Sequence, residues 1–130
     1  MSALCVAAAA LTVALPLQSF TLAWTHSIEK IRWEEDYRIV GDRLQLVEAR
    51  IRGSGAGMEP PEGARLIDGV WHYTPALPLL PRLSLARSPY VADYQLCWDG
   101  ACKPMAAIIG TVEEAPEVKL FQCNSAQAPR

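Results

Sequence analysis

Trp33-Glu-Glu-Asp-Tyr-Arg-Ile-Val-Gly-Asp-Arg-Leu-Gln-Leu-Val-Glu-Ala-Arg-Ile-Arg52 reads as two extended strands joined by a tight turn. Trp33, Glu35, Tyr37 and Ile39 share one side of an alternating run, with Glu34, Asp36 and Arg38 on the other, which is the period of a half-buried strand. Gly41-Asp42 is a hairpin signal of the glycine-first kind, and Leu44 and Leu46 open a second strand that runs to about Arg52. Upstream, Phe20, Leu22, Trp24 and His26 alternate with Thr21, Ala23, Thr25 and Ser27, which adds a third strand.

Pairing Phe20–Ser27 with Trp33–Val40 around a Glu29–Arg32 loop places Leu22 opposite Ile39, Trp24 opposite Tyr37 and His26 opposite Glu35. The Gly41-Asp42 turn sets Val40 against Arg43, so Glu35 meets Glu48 in the next strand. The expected face therefore carries the rows Leu22/Ile39/Leu44, Trp24/Tyr37/Leu46 and His26/Glu35/Glu48, with Ile28, Trp33 and Arg50 beyond. Adjacent carboxylates resist double ionisation, so His26 or Arg50 would supply the counter-charge.

The polar row reads most simply as a cap on the open end of an apolar face. A sharper reading is a ligand pocket formed by His26, Ser27, Glu35, Glu48 and the glycines of Gly53-Ser-Gly-Ala-Gly57. A general acid/base site with Ser27 or Ser54 is a third, although no order of nucleophile and base is legible. No metal site is expected, because no short ligand spacing accompanies the row. Gly53, Gly55 and Gly57 lack the dinucleotide and P-loop patterns; they suit a bulge or sharp bend, or else an anion-binding nest. His72, in a Trp-His-Tyr run, reads as structural.

The remaining chain is punctuated in the same way. Asp68-Gly69 and Asp99-Gly100 are two further hairpin signals, and Tyr90 to Cys97 and Val118 to Cys123 read as strands. Pro75, Pro78 and Pro81 suggest an extended edge carrying Leu77, Leu80 and Leu83, and Met105–Ile109 is a short apolar helix or strand. Cys97 faces Cys102 across Asp99-Gly100, at a separation that suits a disulfide, leaving Cys5 and Cys123 as the remaining candidates; two reduced thiols in contact is the alternative. Residues 1–16 read as two buried strands, Leu4–Ala8 and Leu11–Leu15, or as a signal or anchor segment.

These signals specify a mainly β chain: one antiparallel β-barrel or sandwich over residues 1–123, with residues 124–130 as a flexible tail. Hydrophobic residues at 51%, charged residues at 20% and a net charge of −2 are globular values. Arg50/Arg52 and Arg82/Arg87 are short pairs that read as solvated surface, so no basic stripe for nucleic acid is present.

Phe20-Thr-Leu-Ala-Trp-Thr-His-Ser-Ile28, Trp33-Glu-Glu-Asp-Tyr37 and Gly53-Ser-Gly-Ala-Gly-Met58 together resemble the bacterial domain-of-unknown-function family 1850, as do Asp68-Gly-Val-Trp71 and Ala86-Arg-Ser-Pro-Tyr90. The resemblance covers about Leu4 to Cys123. It implies a small β-rich protein associated with membrane components of tripartite ATP-independent periplasmic (TRAP) transporters, and it brings no cofactor, activity or catalytic residue. The expectation is a non-enzymatic accessory or small-ligand-binding module, periplasmic or membrane-associated, for which a small anionic ligand is one candidate. A small hydrolase-like enzyme using His26 and Glu35, and a cytoplasmic interaction module, are the alternatives.

Overall fold

The computed structural model describes residues 2–25, 31–52 and 62–124. Among the described residues, eleven strands and one short helix run in the order β1 (Ser2–Ala7), β2 (Thr12–Leu15), β3 (Ser19–Thr25), β4 (Arg32–Val40), β5 (Arg43–Arg52), β6 (Arg65–Ile67), β7 (Val70–Tyr73), β8 (Leu83–Ala86), β9 (Gln95–Trp98), β10 (Ala101–Pro104), α1 (Met105–Ile109) and β11 (Glu117–Asn124). They form two antiparallel sheets, β2-β1-β11-β8 and β10-β9-β3-β4-β5-β7-β6, so the architecture is sandwich-like and not a closed barrel. All three hairpin signals turn where the residues dictate. Gly41, Asp68, Gly69, Asp99 and Gly100 adopt the positive φ such two-residue turns require.

The register departs from expectation at two places. Thr25 pairs with Arg32, so Trp24 faces Trp33, Leu22 faces Glu35 and Phe20 faces Tyr37. The expected pairing was four residues out of step, which preserves the face of each side chain but changes every row. Aromatic stacking accompanies the true register: Phe20 and Tyr37 stack at 5.4 Å, and Trp24 and Trp33 at 6.1 Å.

The second departure is a bulge in β5. Tyr37 pairs with Leu46 but Asp36 pairs with Glu48, leaving Val47 as an extra residue. Past that point the phase of β5 is inverted. Glu35 meets Ala49 and Trp33 meets Ile51, while Glu48 and Arg50 lie on the opposite face beside Asp36 and Glu34. The expected Glu35/Glu48 pair and the Trp33/Arg50 row therefore do not form.

The core lies between the sheets. Leu4, Val6, Leu85, Val118 and Leu120 from the smaller sheet meet Phe20, Leu22, Tyr37, Leu44, Leu46 and Leu96 from the larger, with Met105 and Ile109 of α1 closing one side. Leu80 of the proline-rich segment bridges to Leu44 through two backbone hydrogen bonds of 2.8 Å. On the other side of the smaller sheet, Cys5 and Cys123 form a disulfide packed with Ala3, Ala14 and Phe121. This bond spans 118 residues of sequence whereas Cys97–Cys102 spans 5; loop-closure entropy assigns them roughly 5 and roughly 2 kcal/mol.

The expected Tyr90–Cys97 strand begins only at Gln95, because Asp93 is engaged elsewhere. Its carboxylate accepts Arg87 Nε and Nη2, each at 3.0 Å, and the backbone N–H groups of Tyr94 and Ala106, each at 2.9 Å. Arg87, expected on the surface, is buried and also donates to the carbonyls of Gly110, Thr111 and Ala115. All five of its N–H groups are thereby used, and one guanidinium joins the end of β8 to the turn after α1.

Arg87→Met is expected to lower stability by about 3–5 kcal/mol, since it leaves Asp93 and three carbonyls without their donor. Deleting Val47 is expected to preserve cooperative unfolding, because it removes the extra residue and lets Glu48 follow Leu46 in regular alternation, with Ala49 and Ile51 still inward and Glu48 and Arg50 still outward. Val47→Ala, at a side chain 39% exposed, should change stability by no more than about 0.5 kcal/mol. Urea denaturation followed by tryptophan fluorescence distinguishes these three outcomes.

Candidate functional site

The inverted half of β5 builds a charged network on the outer face of the larger sheet. Arg50 stands opposite Glu34 on one side and His72 on the other. Its guanidinium holds Asp36 in a bidentate pair, Nη1–Oδ2 at 2.5 Å and Nη2–Oδ1 at 2.7 Å. Nε donates to Glu34 Oε1 at 3.1 Å and Nη1 to Glu48 Oε1 at 3.2 Å. Thr21 Oγ1 donates to Asp36 at 2.6 Å, Arg32 Nε donates to Glu34 at 2.8 Å, and His72 Nδ1–H donates to Glu48 at 2.8 Å, the tautomer that a carboxylate partner requires.

The electrostatics follow from this geometry. Burial opposes ionisation of Glu34 and Asp36, but hydrogen bonds from Arg32 and Arg50 to the first, and from Arg50 and Thr21 to the second, outweigh it and hold both carboxyls below their usual range. The hydrogen bond from His72 does the same for Glu48, helped by Arg50 against a smaller burial effect. The bond to Asp36 in turn raises the Arg50 guanidinium further above its ordinary value, against burial and with help from Glu34. The network is a set of fixed, mutually neutralising charges.

The residues expected to share a site are separated. Glu35 points toward the opposite face, where it accepts the Tyr37 hydroxyl at 2.8 Å. Burial and the Glu35 charge raise the Tyr37, Tyr73 and Tyr94 hydroxyls above their ordinary range. Trp24 stacks on Trp33 and lies at 6.0 Å from Tyr94, so Glu35 stands within an aromatic neighbourhood. Glu48 instead joins Arg50 and His72. His26, Ser27, Gly53, Gly55 and Gly57 lie outside the described residues.

Glu34 and Asp36 were not singled out from the sequence, while Arg50 was expected only as a counter-charge on the other face and His72 only as a structural residue. A signal for them was present. The apolar positions of β5 run Leu44, Leu46 and then Ala49, Ile51, a change from even to odd that marks an inserted residue between them. His72 follows from the same shift, because it pairs with Arg50 only once β5 is rephased.

An open cleft of about 640 Å³ lies over this face, lined by Thr21, Glu34, Asp36, Arg38, Val47 and Arg50 and walled by the Cys97–Cys102 hairpin. Cys97 and Cys102 pair directly across the turn and are bonded, with Cα atoms 4.0 Å apart. Among the described residues, no three His, Cys, Asp or Glu side chains are grouped to hold a metal ion. Two disulfides indicate an oxidising, extracytoplasmic location. No described helix is long and apolar enough to cross a membrane.

Fold and site together define an antiparallel β-sandwich domain with a charged, cleft-forming outer face on its larger sheet. Residues 20–105, more than half of the chain, match the family model described as Domain of unknown function (DUF1850), and the chain belongs to that family. The matched span contains all of the larger sheet except Ser19 at the start of β3, and with it the charged network. No curated protein and no solved structure gives a significant match.

The three depressed carboxyls make a pH prediction. Their folded values lie below those of the unfolded chain, so their stabilisation is complete above about pH 4.5 and is lost as pH falls through the folded values. Arg50→Met removes a donor from all three. It is expected to lower stability by about 1–3 kcal/mol at neutral pH and to flatten the fall in Tm between about pH 5 and pH 3, measured by calorimetry.

Proposed function

We propose that this domain is a non-enzymatic binding module of the cell envelope, accessory to a solute-uptake system of the TRAP type. The cleft over Arg50 is its ligand site. The observation that carries this reading is the cleft floor, where Arg50, Asp36 and Glu34 are locked into one satisfied network, with Glu48 holding Arg50 and His72 holding Glu48 from beside the cleft, rather than spread as loose surface charge. Such a floor presents charges of both signs at fixed positions and needs little rearrangement on binding. Charges committed to one another suit recognition better than proton transfer. The disulfides support an envelope location, and the family resemblance supports the transporter association.

The network also bears on the ligand. Carboxylates occupy four of the five N–H groups of Arg50, so a bare anion gains little from it. A small zwitterionic solute fits better, its cationic end toward Asp36 and Glu34 and its anionic end toward Arg38, which is exposed at the rim.

Titration calorimetry with small zwitterionic amino acids and, separately, simple carboxylic acids tests this. Saturable binding of a zwitterion, with amide shifts at Thr21, Asp36 and Cys97, is expected. Val47→Trp, which fills the cleft without touching the ion pairs, should weaken binding at least roughly tenfold. No saturable binding of either class, or equal binding by Val47→Trp, would overturn the proposal. Co-purification with a TRAP membrane component from envelope extracts checks the accessory role.

A further inference from the structure

The two disulfides differ in every respect that governs reactivity. Cys5–Cys123 is sealed, with Cys5 at 2% and Cys123 at 4% exposure, and it ties the first strand to the last. Cys97–Cys102 lies at the wall of the cleft, with Cys102 exposed and Cys97 half-buried. The hairpin that carries it is already aligned by four residue pairs from Ala101–Trp98 to Pro104–Gln95 and by a positive-φ Asp99-Gly100 turn. The hairpin's alignment therefore does not depend on this bond, whose contribution to stability is the smaller of the two.

A cation has been placed beside it. Arg32 Nη2 lies 3.9 Å from Cys102 Sγ, while its Nε is held by Glu34 at 2.8 Å and its Nη1 by Gln95 at 2.9 Å. Both anchors leave the guanidinium facing the sulfur. A guanidinium in that position stabilises a thiolate on Cys102 and makes it the better leaving group.

We propose that Cys97–Cys102 is a thiol–disulfide exchange site for a dithiol partner, and that Arg32 is its positioning residue. One thiolate of the dithiol attacks Cys97 Sγ; the S–S bond breaks and its electron pair leaves on Cys102 Sγ beside Arg32. The second thiolate of the partner then attacks its own sulfur in the mixed disulfide and expels Cys97. Two electrons pass from the dithiol to the cysteine pair, the partner becomes a disulfide, and both cysteines take protons through water. Cys5–Cys123 takes no part. The site does not depend on the solute proposed above.

Dithiothreitol is the probe, applied to the native protein, with alkylation and peptide mass spectrometry at timed intervals. Cys97 and Cys102 are expected to be labelled at least roughly tenfold faster than Cys5 and Cys123, with the circular-dichroism spectrum retained. Arg32→Gln should slow their reduction several-fold and Arg32→Lys should restore most of it, with Tm followed in parallel to separate charge from stability. With glutathione in place of the dithiol, the adduct should sit on Cys97 and the alkyl label on Cys102. Equal rates for the two disulfides, reduction only on unfolding, an undiminished rate in folded Arg32→Gln, or an adduct mainly on Cys102 would each overturn the assignment.

Discussion

A single extra residue in β5 governs how this molecule divides its polar and apolar surfaces. Strand side chains alternate, so one inserted residue exchanges the two faces for everything beyond it. Before Val47, Leu44 and Leu46 face the core; after it, Ala49 and Ile51 do. Were Val47 paired in regular alternation instead of bulged, Arg50 and Glu48 would lie on the core face and the buried positions would be lost. With it, four charged side chains from β4 and β5 converge on the outer face, and His72 of β7 joins them. Core and charged network are two consequences of one local irregularity.

Around that sheet the fold is fastened by a few long-range links. Cys5–Cys123 joins the first strand to the last across the outer side of the smaller sheet. Arg87 and Asp93 do comparable work in the irregular segment after β8, where no strand ladder satisfies the backbone. One buried guanidinium serves three carbonyls, and one carboxylate serves two N–H groups. Cys97–Cys102, with Arg32 beside it, stands apart from these fasteners at the wall of the cleft, where chemistry is accessible.

The candidate site was half legible. Alternation alone placed Glu34, Asp36 and Arg38 together and opposite Glu35, and the structure keeps them so. The pairing of Cys97 with Cys102 followed from turn geometry. What failed was the assumption that one phase holds throughout β5. That error put Glu48 with Glu35 and Arg50 with Trp33, although the even-to-odd change in the apolar positions was there to be read. The β3–β4 pairing failed for another reason: a shift of four residues leaves the alternation intact, so hydrophobic pattern cannot distinguish the two registers. Matching aromatic spacing could have done so, since Phe20 and Trp24 are four apart, as are Trp33 and Tyr37.

The antiparallel architecture, the three two-residue turns and the face on which most strand residues lie were all legible in the amino-acid sequence. These depend on local rules: the period of a strand and the positive φ that Gly and Asp tolerate. Which rows meet, where β5 is rephased and that Arg87 is interior were set by packing in three dimensions. Those outcomes depend on side chains far apart in sequence competing for the same space and the same partners. Arg50 and Arg87 are alike in composition terms. One became the centre of an outer-face network and the other a buried clasp, because of what three-dimensional packing set beside each.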